Sequence, residues 1–220
     1  MLTNGVLLLP VLLFSIILHE VAHAWQARRE GDDTAERLGR ITLNPVRHMD
    51  LFGSVLLPLV LYFGHSPFLF GWAKPVPVNP ENYRSQRWGD VRVSLAGIVS
   101  NLGLAVSFTL IAAVAAAAGP APGGVPARAL SIVSEAAYYG VFINLVLAFF
   151  NLIPIPPLDG SHVLYHALLS RSRDTYRSVS RFGIVLIFAM VFLLPGAFRV
   201  LLSPVYYLMD AAQAFVRLWA

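Results

Sequence analysis

Read as apolar and polar positions, the chain alternates long uncharged runs with short charged ones. No charged residue occurs in 1–18, 51–73, 93–127 or 136–158. A helix that crosses a bilayer needs about 20 mostly apolar residues, so runs of this length predict membrane helices. The first helix is expected over about 5–27. A second runs from 93 to about 118 and is broken by the Pro/Gly turn "GPAPGGVPA". A third covers 129–150 and ends in "NLIPIPPLDG". After a basic stretch at 171–181, a further helix is expected from 182 to about 202. From Pro204 onward the spacing of Val205, Leu208, Ala212 and Phe215 predicts an amphipathic tail lying along the membrane interface.

Between the first and second helices the pattern changes. "GRITLNP" and "GWAKPVPVNP" combine prolines with alternating apolar residues, which reads as extended backbone rather than helix. The expected fold is therefore all-α, a polytopic membrane helix bundle, with a small extended or β-hairpin element between the first helix and the helix of Gly97. The chain reads as one transmembrane domain over 1–220, with its core at about 5–170 and C-terminal helices at 179–220. The leading segment lacks a basic start and a small-residue cleavage site, so it is expected to be a retained helix and not a signal peptide. No repeat, low-complexity tract or appended soluble domain is apparent.

Composition agrees with this reading. Hydrophobic residues make up 57% and charged residues 13%, with a mean hydropathy of +0.66; a soluble domain carries about 25% charged residues. With no cysteine, disulfides and thiolate metal ligands are excluded. The pI of 9.7 does not require nucleic acid, because basic residues collect in the cytoplasmic loops of membrane proteins. That tendency also bears on 51–73, which could cross or could dip in and return. If it returns, segments 28–50, 66–92 and 151–181 share one side and hold 13 of the 16 Lys and Arg residues. The returning arrangement is therefore preferred, with the shared side cytoplasmic, and the Pro and Gly residues of 51–73 suit a re-entrant segment.

The chemistry begins where the first apolar run ends, in "HEVAH". Residues at i and i+4 share a helix face, so His19 and His23 can grip one metal ion while Glu20 stands beside the open position. Ionisable groups at membrane depth are costly and mark function. His19 is about 21 Å along the helix from Gly5, inside a hydrocarbon core of about 30 Å. A catalytic zinc has three protein ligands and an open fourth position. Among acidic residues in or beside the other apolar runs, Glu135 falls towards the opposite face. Asp159 follows a helix that returns to the side of His19 and His23, and so completes the set.

"HEVAH" with "NLIPIPPLDG" resembles the site-2 protease family of intramembrane zinc metalloproteases. "SLAGIVSNL", with Gly97 and Asn101, is similar to that family's Gly-x-x-x-Asn helix motif, although Ile98 stands where the family often has proline. "GRITLNPVRHMDLFGS" and "GWAKPVPVNP" look like a compact bacterial branch without PDZ or CBS domains. The resemblance spans most of 5–170. It implies His19, His23 and Asp159 as ligands of one zinc ion and Glu20 as the general base. It also implies that Asn151 steadies the substrate or the tetrahedral oxyanion. From the residues alone, Asn151 serves equally well as a helix C-cap before Pro154.

The resulting expectation is a multi-pass membrane endopeptidase, its site towards the cytoplasmic side. Its substrates would be transmembrane segments of other proteins, with lipid as surroundings and no nucleic acid; oligomeric state is not readable. An exposed edge of the extended segments could pair with an unwound substrate by β-addition. A membrane zinc-binding protein or transporter using the same ligands is the alternative, and a catalytically idle scaffold is opposed by an intact Glu20. Elsewhere, His162 and His166 read as a polar helix face before a second metal site. His48 and Asp50 read as loop organisers, and His65 as interfacial. Gly97 and Asn101 are expected to permit close helix packing.

Overall fold

Three helices long and apolar enough to cross a membrane, covering Leu7–Glu30, Gln86–Ala117 and Val125–Asn151, organise the protein. The computed structural model describes residues 2–64, 74–119 and 123–219. In chain order the helices are α1 (Leu2–Glu30), α2 (Thr34–Arg37), α3 (Leu57–Phe63), α4 (Gln86–Ala117) and α5 (Val125–Asn151). Shorter ones follow: α6 (Gly160–Ala167), α7 (Ser170–Ser180), α8 (Gly183–Leu193), α9 (Pro195–Leu201) and α10 (Ser203–Arg217). The three membrane helices expected near 5–27, 93–118 and 129–150 are present.

The faces of α4 explain how the bundle closes. Val93, Gly97, Asn101 and Ala105 recur every four residues and are buried, which places them on one stripe against α1 and α5. Val99, Val106, Leu110 and Val114 lie on the opposite side and are exposed, as apolar side chains facing lipid should be. Gly140 of α5 admits the Phe108 ring, which a Cβ there would meet at 2.3 Å. The polar residues of the spans point inward: Ser15, Asn101 and Asn144 are fully buried, with Asn144 Nδ2 donating to Ser15 Oγ at 2.8 Å.

Beyond the C-terminal end of α1 and the N-terminal end of α4, polar contacts knit the connections together. Glu30 accepts two hydrogen bonds from Arg92, both at 2.7 Å. Asp32 is fully buried and accepts from the Asn79 backbone N–H (2.7 Å), Asn82 Nδ2 (2.8 Å) and Thr34. Burial opposes the charge of Asp32, yet these donors hold its carboxyl below the usual carboxylate range. Arg40 donates to the Lys74 carbonyl at 2.8 Å, and the Lys74 N–H donates to the His48 carbonyl at 2.8 Å. His48 Nε2 lies 2.8 Å from the Thr42 carbonyl, and Asp50 caps the following turn through the N–H groups of Phe52 and Gly53. Both organise the loop as expected.

Three expectations are corrected. No strand occurs among the described residues, so the β-hairpin element is not formed. Pro75 and Pro77 have no N–H to donate, and Arg40 takes the Lys74 carbonyl that a partner strand would need. Secondly, the single helix expected over 182–202 is two: α8 stops at Leu193 because Pro195 disfavours helical backbone at Leu194, whose φ and ψ are −126° and 52°. The third concerns the tail. α10 does not lie free along an interface; Val205 and Met209 are buried against Ala105, Val141 and Leu145 of the bundle. As for 51–73, a π-helix at Leu51–Leu56 leads into α3. Together they reach about 20 Å. His65 and the rest of the segment, 65–73, on which the choice between crossing and returning turns, lie outside the described residues.

Candidate metal centre

The second half of α1 carries His19 and His23 one turn apart, both turned towards α4. Their Nε2 atoms are 3.0 Å apart. Asp159 Oδ2 lies 3.2 Å from His19 Nε2 and 3.3 Å from His23 Nε2. A tetrahedral zinc with ligand distances of about 2.0–2.2 Å separates its donor atoms by about 3.3–3.5 Å. The three measured separations are thus close to three edges of such a tetrahedron. Among the described residues these three form a group whose donor atoms lie close enough together to hold one ion. All three side chains are at least four-fifths buried, at 9%, 12% and 19% exposure. Asp159 Oδ2 has no conventional hydrogen-bond donor, so a cation is the partner its charge lacks. The residues fit zinc.

Asp159 arrives from 136 residues beyond His23 because the chain turns back sharply after α5. The N–H of Ile155 donates to the Ile153 carbonyl and that of Leu158 to the Ile155 carbonyl. Asp159 then stands just before α6 with its side chain turned to the histidines and not to the helix N–H groups, and Gly160 follows where a Cβ would sit 2.2 Å from the Leu152 carbonyl oxygen. A glycine is required there for the turn to close.

Two backbone features of α4 shape the histidines. His23 Nδ1 lies 2.7 Å from the Val93 carbonyl oxygen. As an N–H donor there, it leaves Nε2 free to ligate, the usual second contact of a metal-binding histidine. Gly97 faces both rings: a Cβ would lie 2.5 Å from His19 Cε1 and from His23 Nε2. Helix packing was expected of Gly97, and the structure makes the reason specific, since only glycine leaves room for both imidazoles.

Glu20 lies on the same turn of α1, and its Oε2 accepts from the Val76 N–H at 2.8 Å. The "KPVPVNP" stretch is thereby fastened directly to the glutamate. Asn151, the last residue of α5, donates from Nδ2 to the Leu147 carbonyl at 3.0 Å; its hydrogen bond is not to the triad. His162 and His166 both reach Asp90 Oδ2, at 3.1 and 2.8 Å. They form an ion-paired clamp between α6 and α4. Sequence reading had not singled out Asp90, Val93 or Val76. The latter two act through main-chain atoms, and Asp90 lies 72 residues from His162, so no local pattern announces any of them.

Comparison with known proteins bears on this arrangement. The sequence profile of peptidase family M50 matches residues 7–121 and 126–194. The chain is 37% identical over 191 residues to "Putative zinc metalloprotease YwhC" of Bacillus subtilis, covering 86% of this chain and 80% of that protein. It is 30% identical over 223 residues to "Putative zinc metalloprotease Rip2" of Mycolicibacterium smegmatis, covering 94% and 78%. The Rip2 protein of Mycobacterium tuberculosis is likewise 30% identical, over 208 residues. No solved structure matches.

Proposed function

The chain belongs to peptidase family M50, the site-2 protease family of zinc metalloproteases, and on that premise we propose that it is an intramembrane endopeptidase acting on transmembrane segments of other proteins. The observation that carries the proposal is the convergence of His19, His23 and Asp159 donor atoms at 3.0–3.3 Å, beside Glu20, within the length of an apolar helix able to span a membrane.

His19, His23 and Asp159 would hold the zinc ion. Zinc bound there polarises a peptide carbonyl and makes water more acidic. Glu20 takes a proton from the attacking water and returns it to the leaving amine. The Val76 N–H engages only Oε2 of its carboxylate, and a carboxylate has further acceptor sites for a water. Asn151 is assigned a supporting role, its second N–H steadying the substrate or the developing oxyanion; the bond to Leu147 uses only one. The basic stretches at 28–50, 74–92 and 151–181 support a cytoplasmic orientation for this end of the bundle.

The test is purified Glu20→Gln with a model transmembrane peptide. Zinc content should stay at one ion per chain while cleavage falls by about 10²–10⁴-fold, the usual worth of a general base. Cleavage at the wild-type rate would remove Glu20 from the mechanism. A wild-type protein that binds zinc yet cleaves no peptide would leave a membrane zinc-binding protein in place of a protease.

A further inference from the structure

His19 and His23 are not equally supported. His23 has its Nδ1 against the Val93 carbonyl, whereas His19 Nδ1 is buried with no hydrogen-bond partner. Metal-ligating histidines almost always donate their second N–H, which fixes tautomer and ring plane. A buried donor left unpaired costs free energy, so an acceptor for His19 is required.

The antiparallel register of α1 and α4 locates the acceptor. His23 meets Val93, and both histidines meet Gly97; one turn further, Ser15 falls level with Asn101. Helical side chains lean towards their own N-terminus. From α1, His19 leans towards Ser15; from α4, Asn101 leans back towards Gly97 and the His19 ring. Asn101 is fully buried, and neither its Oδ1 nor its Nδ2 has a partner. Of the other polar groups of this level, Ser15 Oγ and Asn144 Nδ2 are already engaged and Asn144 Oδ1 is not. Ser15 Oγ donates to the Val11 carbonyl at 2.8 Å and accepts from Asn144 Nδ2, which also donates to the Gly140 carbonyl.

We propose that Asn101 is the positioning residue for His19: its Oδ1 accepts from His19 Nδ1–H, directly after a small rotation or through one buried water, and holds Nε2 as the metal-facing nitrogen. A buried water needs two to four polar partners, and His19 Nδ1, Asn101 and Asn144 Oδ1, itself unpartnered, supply them. Close helix packing alone would be served as well by any small apolar residue at 101; a buried amide with both ends open is explained by a polar neighbour.

The inference rests on the metal-site reading, and zinc affinity measured by competition with a chromophoric chelator, in detergent, separates the two. Asn101→Leu fills similar volume without an acceptor and should bind zinc about 10–100-fold more weakly. Asn101→Asp keeps the acceptor at the same reach and should stay within a few-fold of wild type. The absorption spectrum of the cobalt-substituted protein should shift in the Leu variant and not in the Asp variant. If Asn101→Leu does not fold, Asn101→Ala and Asn101→Asp make the same comparison. Equal zinc affinity and an unchanged cobalt spectrum in the apolar variants would overturn the role of Asn101. Failure of the wild type to bind zinc would instead overturn the metal site itself.

Discussion

Two clusters of one aspartate with two histidines spaced i and i+4 flank the start of α4, and they are built for different work. In the first, His19, His23 and Asp159 bring three donor atoms pairwise within 3.0–3.3 Å. His23 is oriented by the Val93 carbonyl and both rings fit over Gly97. In the second, His162 and His166 converge on a single oxygen of Asp90. The His162 side chain is half exposed, at 51%, and no glutamate stands between the histidines. Identical residue types at identical helical spacing therefore do not make a metal site. Mutual closeness of all three donors, burial and supporting contacts do.

The clusters are also mechanically linked. Asp159 immediately precedes α6, the helix that carries His162 and His166, and Asp90 lies one turn before Val93 on α4. The second cluster thus ties the helix following Asp159 to the helix against which His19 and His23 pack. This gives it a reason to exist without a metal of its own.

Among substitutions that compare the two clusters without removing a residue of the first, the largest effect should come from Gly97→Ala. Its methyl group would press on both imidazoles, and overpacking of this kind costs about 1–3 kcal/mol, so zinc should bind about 10–100-fold more weakly. Chelator competition measures this. Wild-type affinity would mean that the rings are not held against α4. A smaller effect is expected of Asp90→Ala, which leaves two histidines without their acceptor. A loss of about 1–3 kcal/mol in stability is expected, read as a lower melting temperature, with zinc stoichiometry unchanged. If zinc is lost as well, the second cluster is more than a clamp.

The smallest effect is a pH dependence. The hydrogen bond to Asp90, opposed by burial, raises the pKa of His162 above its ordinary 6.5. Its contribution is therefore complete below pH 6.5 and is lost as pH rises through the raised value. The melting-temperature difference between wild type and Asp90→Asn should be greatest below pH 6.5 and shrink above it. A difference that grows with pH would reverse the assignment.

What could be read from the sequence follows from where the information lies. His19, Glu20, His23 and Asp159 stood out because ionisable groups at membrane depth are rare, and one helical turn links the first three. The spanning helices were legible from length and apolarity alone. Support of the site was not, since it runs through the Val93 carbonyl, the Val76 N–H and the space above Gly97, none of which a side-chain pattern records. The extended segments misled because alternation resembles a strand, while Pro75 and Pro77 cannot donate to one. In α10 the apolar spacing was genuine, but an amphipathic helix can bury its face in protein as readily as in an interface. Val205 and Met209 found the bundle.

The most direct test is zinc stoichiometry by elemental analysis, run in parallel on wild type, Asp159→Ala and Asp90→Ala after dialysis against a weak chelator. One ion per chain is predicted for wild type and for Asp90→Ala, and little or none for Asp159→Ala, whose site retains only two imidazoles. Zinc retained by Asp159→Ala but lost from Asp90→Ala would place the metal at the other cluster and contradict the account.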